Sequence, residues 1–432
     1  MKLTEKKLSE GKIALTARAT AKEVEDAFAT AYLAFVNNMG LKPEKGKTVN
    51  QVVEEQLGIK DLDAQVRNSA LEALIPYAID KSGLLPAYPP AVTECSALRR
   101  GQEATFTLEV LPKIRYELTS YDPIEVTVPK FEMDTTLIDR QIEQIASRNV
   151  EYVRAADQNR VVEAGDAVLL EMESYENGKR NTGLSTAART YVCGKGFMPA
   201  GFDEQIIGMK PGETKTFTFE GPDVDIQGNE TTTTVETTAT VIELQQECTP
   251  AITDAWLARN MPVFKTVDEL REDIGKSLEA QSRKNYDAQC RQLAVFQLVD
   301  RFEGKIPDEA YEAMRDNLLT EMRAQAKAQN MEFKDFVEQQ GGEQQFSMMV
   351  MMQVREMLVE GYVLDALFVH EGLKVTEEDL DEAALQINPK AQPAETRKML
   401  ESTGRRFILR ETAERYAASK YLMDHAKVTI AE

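Results

Sequence analysis

Histidine is almost absent from this 432-residue chain; the two present are His370 and His425. A zinc site or an imidazole-based catalytic centre needs more than that, or else paired thiols. The four cysteines, Cys95, Cys193, Cys248 and Cys290, lie far apart and form no C-x-x-C pair. No metal and no cofactor is therefore expected, and the thiols read as structural ones in a reducing, cytoplasmic compartment. No apolar run approaches the roughly 20 residues that cross a bilayer. The opening stretch MKLTEKKLSEGK also has no hydrophobic region of the secretory kind. A membrane partner is excluded on those two counts. Positive charge is scarce as well, since the net charge is −21. Acidic and basic residues balance up to Lys113, so the deficit falls on the rest of the chain. An acidic body repels nucleic acid. DNA is excluded as a partner, and any RNA contact is expected on the neutral N-terminal piece.

What is present is enough chain for two to four cores. Residues 12–19, KIALTARA, alternate as a half-buried strand does. Thr20 and Glu23 then form a T-x-x-E capping box ahead of a helix carrying Val24, Phe28, Ala31, Tyr32 and Phe35. A second helix opens at Val49, and a third runs from Asp61 towards Asp80, bent or interrupted at Pro76. ATFTLEVLP returns as a strand. Next, IEVTVPKF reads as an extended connector leading away from this domain, into a helix whose Leu137, Ile138, Ile142 and Ile145 need a partner surface.

Everything after Gln246 reads as helical. Thr266 and Glu269 form a second capping box before a helix of about 35 residues. Ile306-Pro307 restarts the chain with proline at the first helical position. Further helices are expected over about 308–329, 343–371, 376–387 and 393–426, with breaks at Gly341-Gly342 and Asn388-Pro389. Helices this long suggest arms.

Between these regions, strands are expected at 167–174, 187–193, 214–219 and 231–244, with Asn177-Gly178 as a turn. The stretch from Tyr191 to Glu213 reads YVCGKGFMPAGFDEQIIGMKPGE. A strand enters a Gly-Lys-Gly turn, and a short helix, Phe202 to Ile207, ends at Gly208, where glycine takes the left-handed conformation freely. Pro211-Gly212 then turns the chain into TKTFTFE. That order resembles the FKBP-type prolyl isomerase domain over roughly Asp157 to Gln246. Such a site uses no nucleophile; an apolar, aromatic cleft favours the twisted amide over its solvated planar form. The resemblance places Tyr191, Met198 and Phe202 in the cleft, with Phe202 as its floor and Phe197 nearby. Met172 stands where an aromatic is usual, Asn181-Thr182 replaces a Phe-acid pair, Arg189 replaces an inward apolar residue, and GPDVDIQGNE lacks a tyrosine. The cleft is eroded on this reading, and no residue is singled out as catalytic.

The loop from Gly40 to Thr48 superficially suggests a phosphate loop. Five residues, not four, separate Gly40 from Gly46, and a helix precedes it, which excludes a nucleotide site. Gly40, Leu41, Lys42, Gly46 and Lys47 match in kind the G-F-R-x-G-K-x-P loop of trigger factor, with two residues inserted and Val49 in place of proline. The structural alternative is a solvated turn with ordinary lysines.

Eight of the 17 methionines, Met314, Met322, Met331, Met348, Met349, Met351, Met352 and Met357, fall in one short region. Unbranched thioethers suit surfaces that accept many apolar shapes, although methionine at helical spacing also packs cores. The sequence expectation is that Met348, Met349, Met351, Met352 and Met357, helped by Leu358, Tyr362 and Leu367, line an open concave client surface.

Taken together, the chain resembles trigger factor over nearly its whole length. The fold class implied is α+β, multidomain and elongated. It comprises a small α+β N-terminal domain (1–113), an extended connector and helix (114–156), an FKBP-like β-rich insert (157–246) and an all-α C-terminal domain with long arms (247–432). The implied function is ATP-independent chaperoning of unfolded or nascent polypeptide, docked through the 40–48 loop on the large ribosomal subunit near the exit tunnel, with a weak homodimer as a further partner state. Two other functions stay open: an active prolyl isomerase whose helices present substrate, and a free holdase or assembly factor that never meets the ribosome.

Overall fold

A computed structural model describes residues 1–41, 48–199, 201–224 and 230–431, with backbone alone at 222–224, 230 and 231. In chain order the first elements are β1 (Lys2–Lys7), β2 (Ile13–Ala19), α1 (Ala21–Asn38), α2 (Val49–Leu57), α3 (Leu62–Ser82), β3 (Ala91–Cys95), β4 (Ala104–Val110) and β5 (Glu125–Val128). Next come α4 (Thr136–Arg148), β6 (Glu151–Arg154), β7 (Ala167–Glu176), β8 (Lys179–Arg180), β9 (Thr186–Val192), α5 (Phe202–Ile206), β10 (Thr214–Val224), β11 (Glu230–Cys248) and α6 (Asp254–Asn260). The rest is α7 (Val267–Val299), α8 (Asp308–Ala328), α9 (Phe333–Gln339), α10 (Gly342–His370), α11 (Glu377–Ile387), α12 (Pro393–Ser402), α13 (Arg406–Asp424) and β12 (Lys427–Ile430). The fold is mixed α and β in more than one compact unit. One unit joins Met1–Phe131 to the chain from Asn285 onward; the other is Glu132–Lys284, so the division falls inside α7.

In the first unit the sheet runs β1-β2-β4-β3, with each neighbouring pair antiparallel. Strand alternation puts Leu15, Ala17 and Ala19 of β2 beside Phe106, Leu108 and Val110 of β4 on one buried face. Helices α1 and α3 cover that face with Phe28, Leu74 and Ile79. The Thr20/Glu23 capping box is present at the start of α1, as its spacing predicts. Helix α3 continues through Pro76, so of the expected bend or interruption the interruption is not found.

The second apolar core of this unit gathers α7, α8, α9, α10 and α13 with β5. The connector strand does not simply lead away: Ile124, Val126 and Val128 are buried in this core, and β5 pairs in parallel with β12. Strand β12 and the end of β11 are exceptions to the helical reading of everything after Gln246. Helix α9 also interrupts the expected sequence of long helices. The 393–426 helix is two helices, because Gly404 turns left-handed at φ 67°. A Cβ there would lie 2.8 Å from the Cα of Tyr77, so both the turn and the close approach exclude a side chain. Pro307 is the N-cap of α8 and not its first helical residue. Glu269 reaches back to the Lys265 N–H at 2.8 Å, so the second capping box closes on only one side.

The other unit is built on the long strand β11, which pairs with β10, β7 and β6, while β7 pairs with β9 and β8. Asn177 and Gly178 both take positive φ in the β7–β8 turn, as the Asn-Gly dipeptide predicts. Phe202 of α5 packs edge-on against Tyr191, Phe217 and Phe219. The apolar stripe of α4, Ile138, Ile142 and Ile145, finds its partner surface on Trp256, Leu257, Leu270 and Ile274.

Candidate functional site

Helix α10 decides the surface chemistry of the helical core. Phe346, Val350, Val354 and Leu358 recur at four-residue spacing and are buried. Between them, Met348, Met351 and Met352 remain 65%, 68% and 67% exposed. An open groove of about 630 Å³ lies along α8 and α10, lined by Tyr311, Leu319, Phe346, Val350, Met351 and Val354. Asp308, Glu312, Arg315 and Arg355 give it a charged rim of both signs. At one end Phe346 meets Phe333 and Phe336 edge-on, and Arg323 caps Phe333 at 5.1 Å from the ring centre.

The structure thus separates the methionine cluster. Met351 lines the groove, Met348 and Met352 are exposed on α10 without lining it, and Met349 is partly buried against the core. Met357, Leu358 and Tyr362 line a different and smaller cavity of about 160 Å³, with Lys113, Glu411 and Arg415. Leu367 is a core residue. Tyr311 and Leu319 are groove residues that the methionine signal did not reveal. The buried stripe of Phe346, Val350 and Val354 was masked in the sequence by the methionines between them, which make the start of α10 look uniformly apolar.

Three residues lining that smaller cavity, Lys113, Glu411 and Arg415, belong with Asp365 to a four-membered charge cluster. Arg415 grips Asp365 with two 3.0 Å bonds and reaches Glu411 at 2.9 Å, while Lys113 lies 2.7 Å from Asp365 and 2.8 Å from Glu411. Burial pushes Glu411 up, but Arg415 and Lys113 outweigh it and hold its carboxyl below the usual range. Burial raises Tyr362 to about 12. Glu360, 2.6 Å from Gln292, is raised by burial and by Glu356.

The isomerase-like residues lie in the other unit. Phe202 is fully buried, Met172 and Tyr191 are nearly so, and Met198 is partly buried, whereas Phe197 is 71% exposed. The Tyr191 hydroxyl donates to Asp203 at 2.5 Å. Tyr191, Phe202 and Met172 therefore sit together in one closed core, with Phe197 outside it. Of the 40–48 loop, Lys42, Gly46 and Lys47 lie outside the described residues. Gly40 and Leu41 end α1 in a Schellman pattern, with the Gly40 N–H on Asn37 O and the Leu41 N–H on Val36 O, and Leu41 packs on the N-terminal core. No described helix is long and apolar enough to cross a membrane. Among the described residues no group of His, Cys, Asp and Glu could hold a metal ion.

With this geometry in hand, two family models match the chain. The model described as bacterial trigger factor protein covers residues 1–145, and that for its C-terminus covers residues 266–424. The chain is 26% identical to the trigger factor of Natranaerobius thermophilus, the match spanning 100% of this chain and 97% of that one. It is 24% identical to the trigger factor of Pelotomaculum thermopropionicum over 99% and 98% of the two chains. A solved structure titled "Promiscuous Substrate Recognition in Folding and Assembly Activities of the Trigger Factor Chaperone" covers 98% of this chain and 99% of its own at 19% identity, with a TM-score of 0.34.

Proposed function

We propose, on the premise that this chain belongs to the trigger factor family and so has a chaperone role, that it holds non-native polypeptide in the groove between α8 and α10. The holding is ATP-independent, resting on weak, reversible apolar contact. The 40–48 loop docks the protein on the ribosome, where nascent chains emerge. In this reading residues 1–113 dock, 114–156 connect, 157–246 form an FKBP-like module, and 247–432 hold the client.

The observation that carries the reading is an exposed Met351 on the wall of an apolar groove, with Met348 and Met352 exposed on the same helix. Three neighbouring methionines left in water on one helix mark an interaction surface better than a packing surface. The acidic excess keeps copies apart while the patch stays open. The closed Phe202 core favours chaperoning over isomerisation as the main activity.

A photo-crosslinking residue at Met351 should capture an unfolded client, and one at exposed Arg283 of α7 should not. Equal capture at both positions removes the groove from the reading. Ribosome docking is tested by cosedimentation of a Lys42→Glu, Lys47→Glu variant. It should lose binding and keep holdase activity, and retained binding moves the docking surface elsewhere.

A further inference from the structure

The two-stranded sheet of β5 and β12 is unfinished on one side. Its register pairs Lys427, Val428, Thr429 and Ile430 with Glu125, Val126, Thr127 and Val128 in parallel. The Lys427 N–H donates to Ile124 O and the Ala431 N–H to Val128 O, both at 2.8 Å. In a parallel ladder alternate residues turn both backbone groups to one neighbour. Residues 427, 429 and 431 therefore face β5, and the N–H and C=O of Val428 and Ile430 point away from it. Among the described residues no third strand joins this sheet.

The side chains tell the same story. Residues paired across a ladder share a face, so Val428 and Ile430 lie on the face that carries Val126 and Val128. There the two β5 valines are buried by the helical core, while Val428 and Ile430 are left 45% and 61% exposed. The apolar cover stops at β5. Other edges are guarded differently. Strand β1 carries Lys2, Lys6 and Lys7, and β3 has a register shift between Val92 and Glu94; lysines and bulges both discourage edge pairing. Strand β12 has one lysine and three exposed β-branched residues, Val428, Thr429 and Ile430.

We infer that β12 is a strand-addition site, which takes an extended, apolar segment of a non-native polypeptide as a third strand. Outward backbone groups recognise only an extended chain, and Val428 with Ile430 selects β-branched or aromatic side chains beside them. Residues 425–431, HAKVTIA, hold no carboxylate in a chain of net charge −21, so this edge repels an incoming segment less than the acidic surface around it. A second copy is the poorer occupant, because it brings another −21 to a contact four residues long. The inference rests on the chaperone reading and adds a backbone-reading site to the side-chain-reading groove.

The test uses the full chain and a dye-labelled heptapeptide alternating threonine with valine or isoleucine, followed by fluorescence anisotropy. Val428→Pro and Ile430→Pro each remove an outward N–H and leave the inward ladder bonds intact, as proline permits on an edge strand. Each should weaken binding at least tenfold with an unchanged melting temperature. If either variant unfolds, the same peptide N-methylated at alternate amides is tested on the unaltered protein and should bind at least tenfold more weakly. Equal binding of the methylated peptide, or undiminished binding by the folded variants, overturns the inference. A concentration-dependent dimer that the proline variants abolish, and that the peptide does not disrupt, overturns the choice of occupant. Client protection and Met351 crosslinking separate the two ideas. Protection without peptide binding sinks only the strand-addition site, and peptide binding without protection sinks the chaperone reading.

Discussion

The guanidinium of Arg415 lies directly over Gly361 of α10: a Cβ on that glycine would stand 2.8 Å from the arginine Cζ. Gly361 is buried in the middle of a 29-residue helix, where glycine is disfavoured by about 1 kcal/mol relative to alanine. Arg415 cannot swing aside freely, because Asp365 and Glu411 hold it. Gly361→Ala should therefore destabilise by about 1–3 kcal/mol despite the gain in helix propensity. In an Arg415→Met background the same change should become neutral or stabilising. Denaturant midpoints of the two single variants and the double variant check it, and additive effects would mean that the pair does not interact.

The exposed methionines and their buried neighbours should separate stability from holding. Replacing Met348, Met351 and Met352 with serine should change stability by no more than about 0.5 kcal/mol each, while reducing the suppression of client aggregation. Leu358→Ala or Leu367→Ala, buried outside the groove, should do the reverse, costing on the order of 2–5 kcal/mol with protection per folded molecule retained. Thermal melts and light scattering on the same preparations give both numbers. A sharp fall in melting temperature for the serine variant would place those methionines in the core.

Acid should loosen the charge cluster in a definite direction. The carboxyl of Glu411 is held below its ordinary value in the folded chain by Arg415 and Lys113. Its contribution is thus complete above the unfolded carboxylate range near pH 4.3 and is lost as pH falls through the lower, folded value. Glu360 and Glu414 are raised by burial and act with the opposite sign, favouring the folded state as they protonate. Glu411→Gln should lower stability at pH 7 and flatten the loss between about pH 5 and 3. An unchanged acid limb would show that the cluster does not set acid stability.

The closed aromatic core predicts little catalysis of proline isomerisation. Among the described residues of the expected cleft, Phe202, Tyr191 and Met172 are buried, the Tyr191 hydroxyl is on Asp203, and Phe197 is the exposed ring. The full chain should accelerate a proline-limited refolding reaction weakly or not at all, and Phe197→Ala should not alter that rate. Strong acceleration, lost on Phe202→Leu, would instead make the β-rich unit an enzyme.

Local signals in the sequence were read well. The Thr20/Glu23 box, the Asn177-Gly178 turn, the short helix at Phe202 and the α4 stripe all depend on residues close together, and all are present. What escaped was set at long range. Strand β12 is four residues that become a strand only because β5 lies beside them. The break at Gly404 is fixed by Tyr77, more than 300 residues earlier, approaching its backbone. Pro76 sits inside α3 without ending it. For the candidate site, composition drew attention to α10, but it could not separate Met351 in the groove from Met357 in the smaller cavity. That distinction lies in which neighbours arrive from α8 and α13.

The pairing of Glu125 with Lys427 spans 302 residues. During synthesis at roughly 5–20 residues per second, β5 waits about 15–60 s for its partner strand. For the first half of that interval Val126 and Val128 have neither β12 beside them nor the helices from Asn285 onward above them, and β12 is the last of these to arrive. The continuous segment Glu132–Lys284 meets no such delay and can finish within its own length. A newly made copy of this chain therefore passes through a stage in which it is itself an unfinished, apolar, strand-seeking polypeptide. By the reading given above, such a polypeptide is what a mature copy would hold.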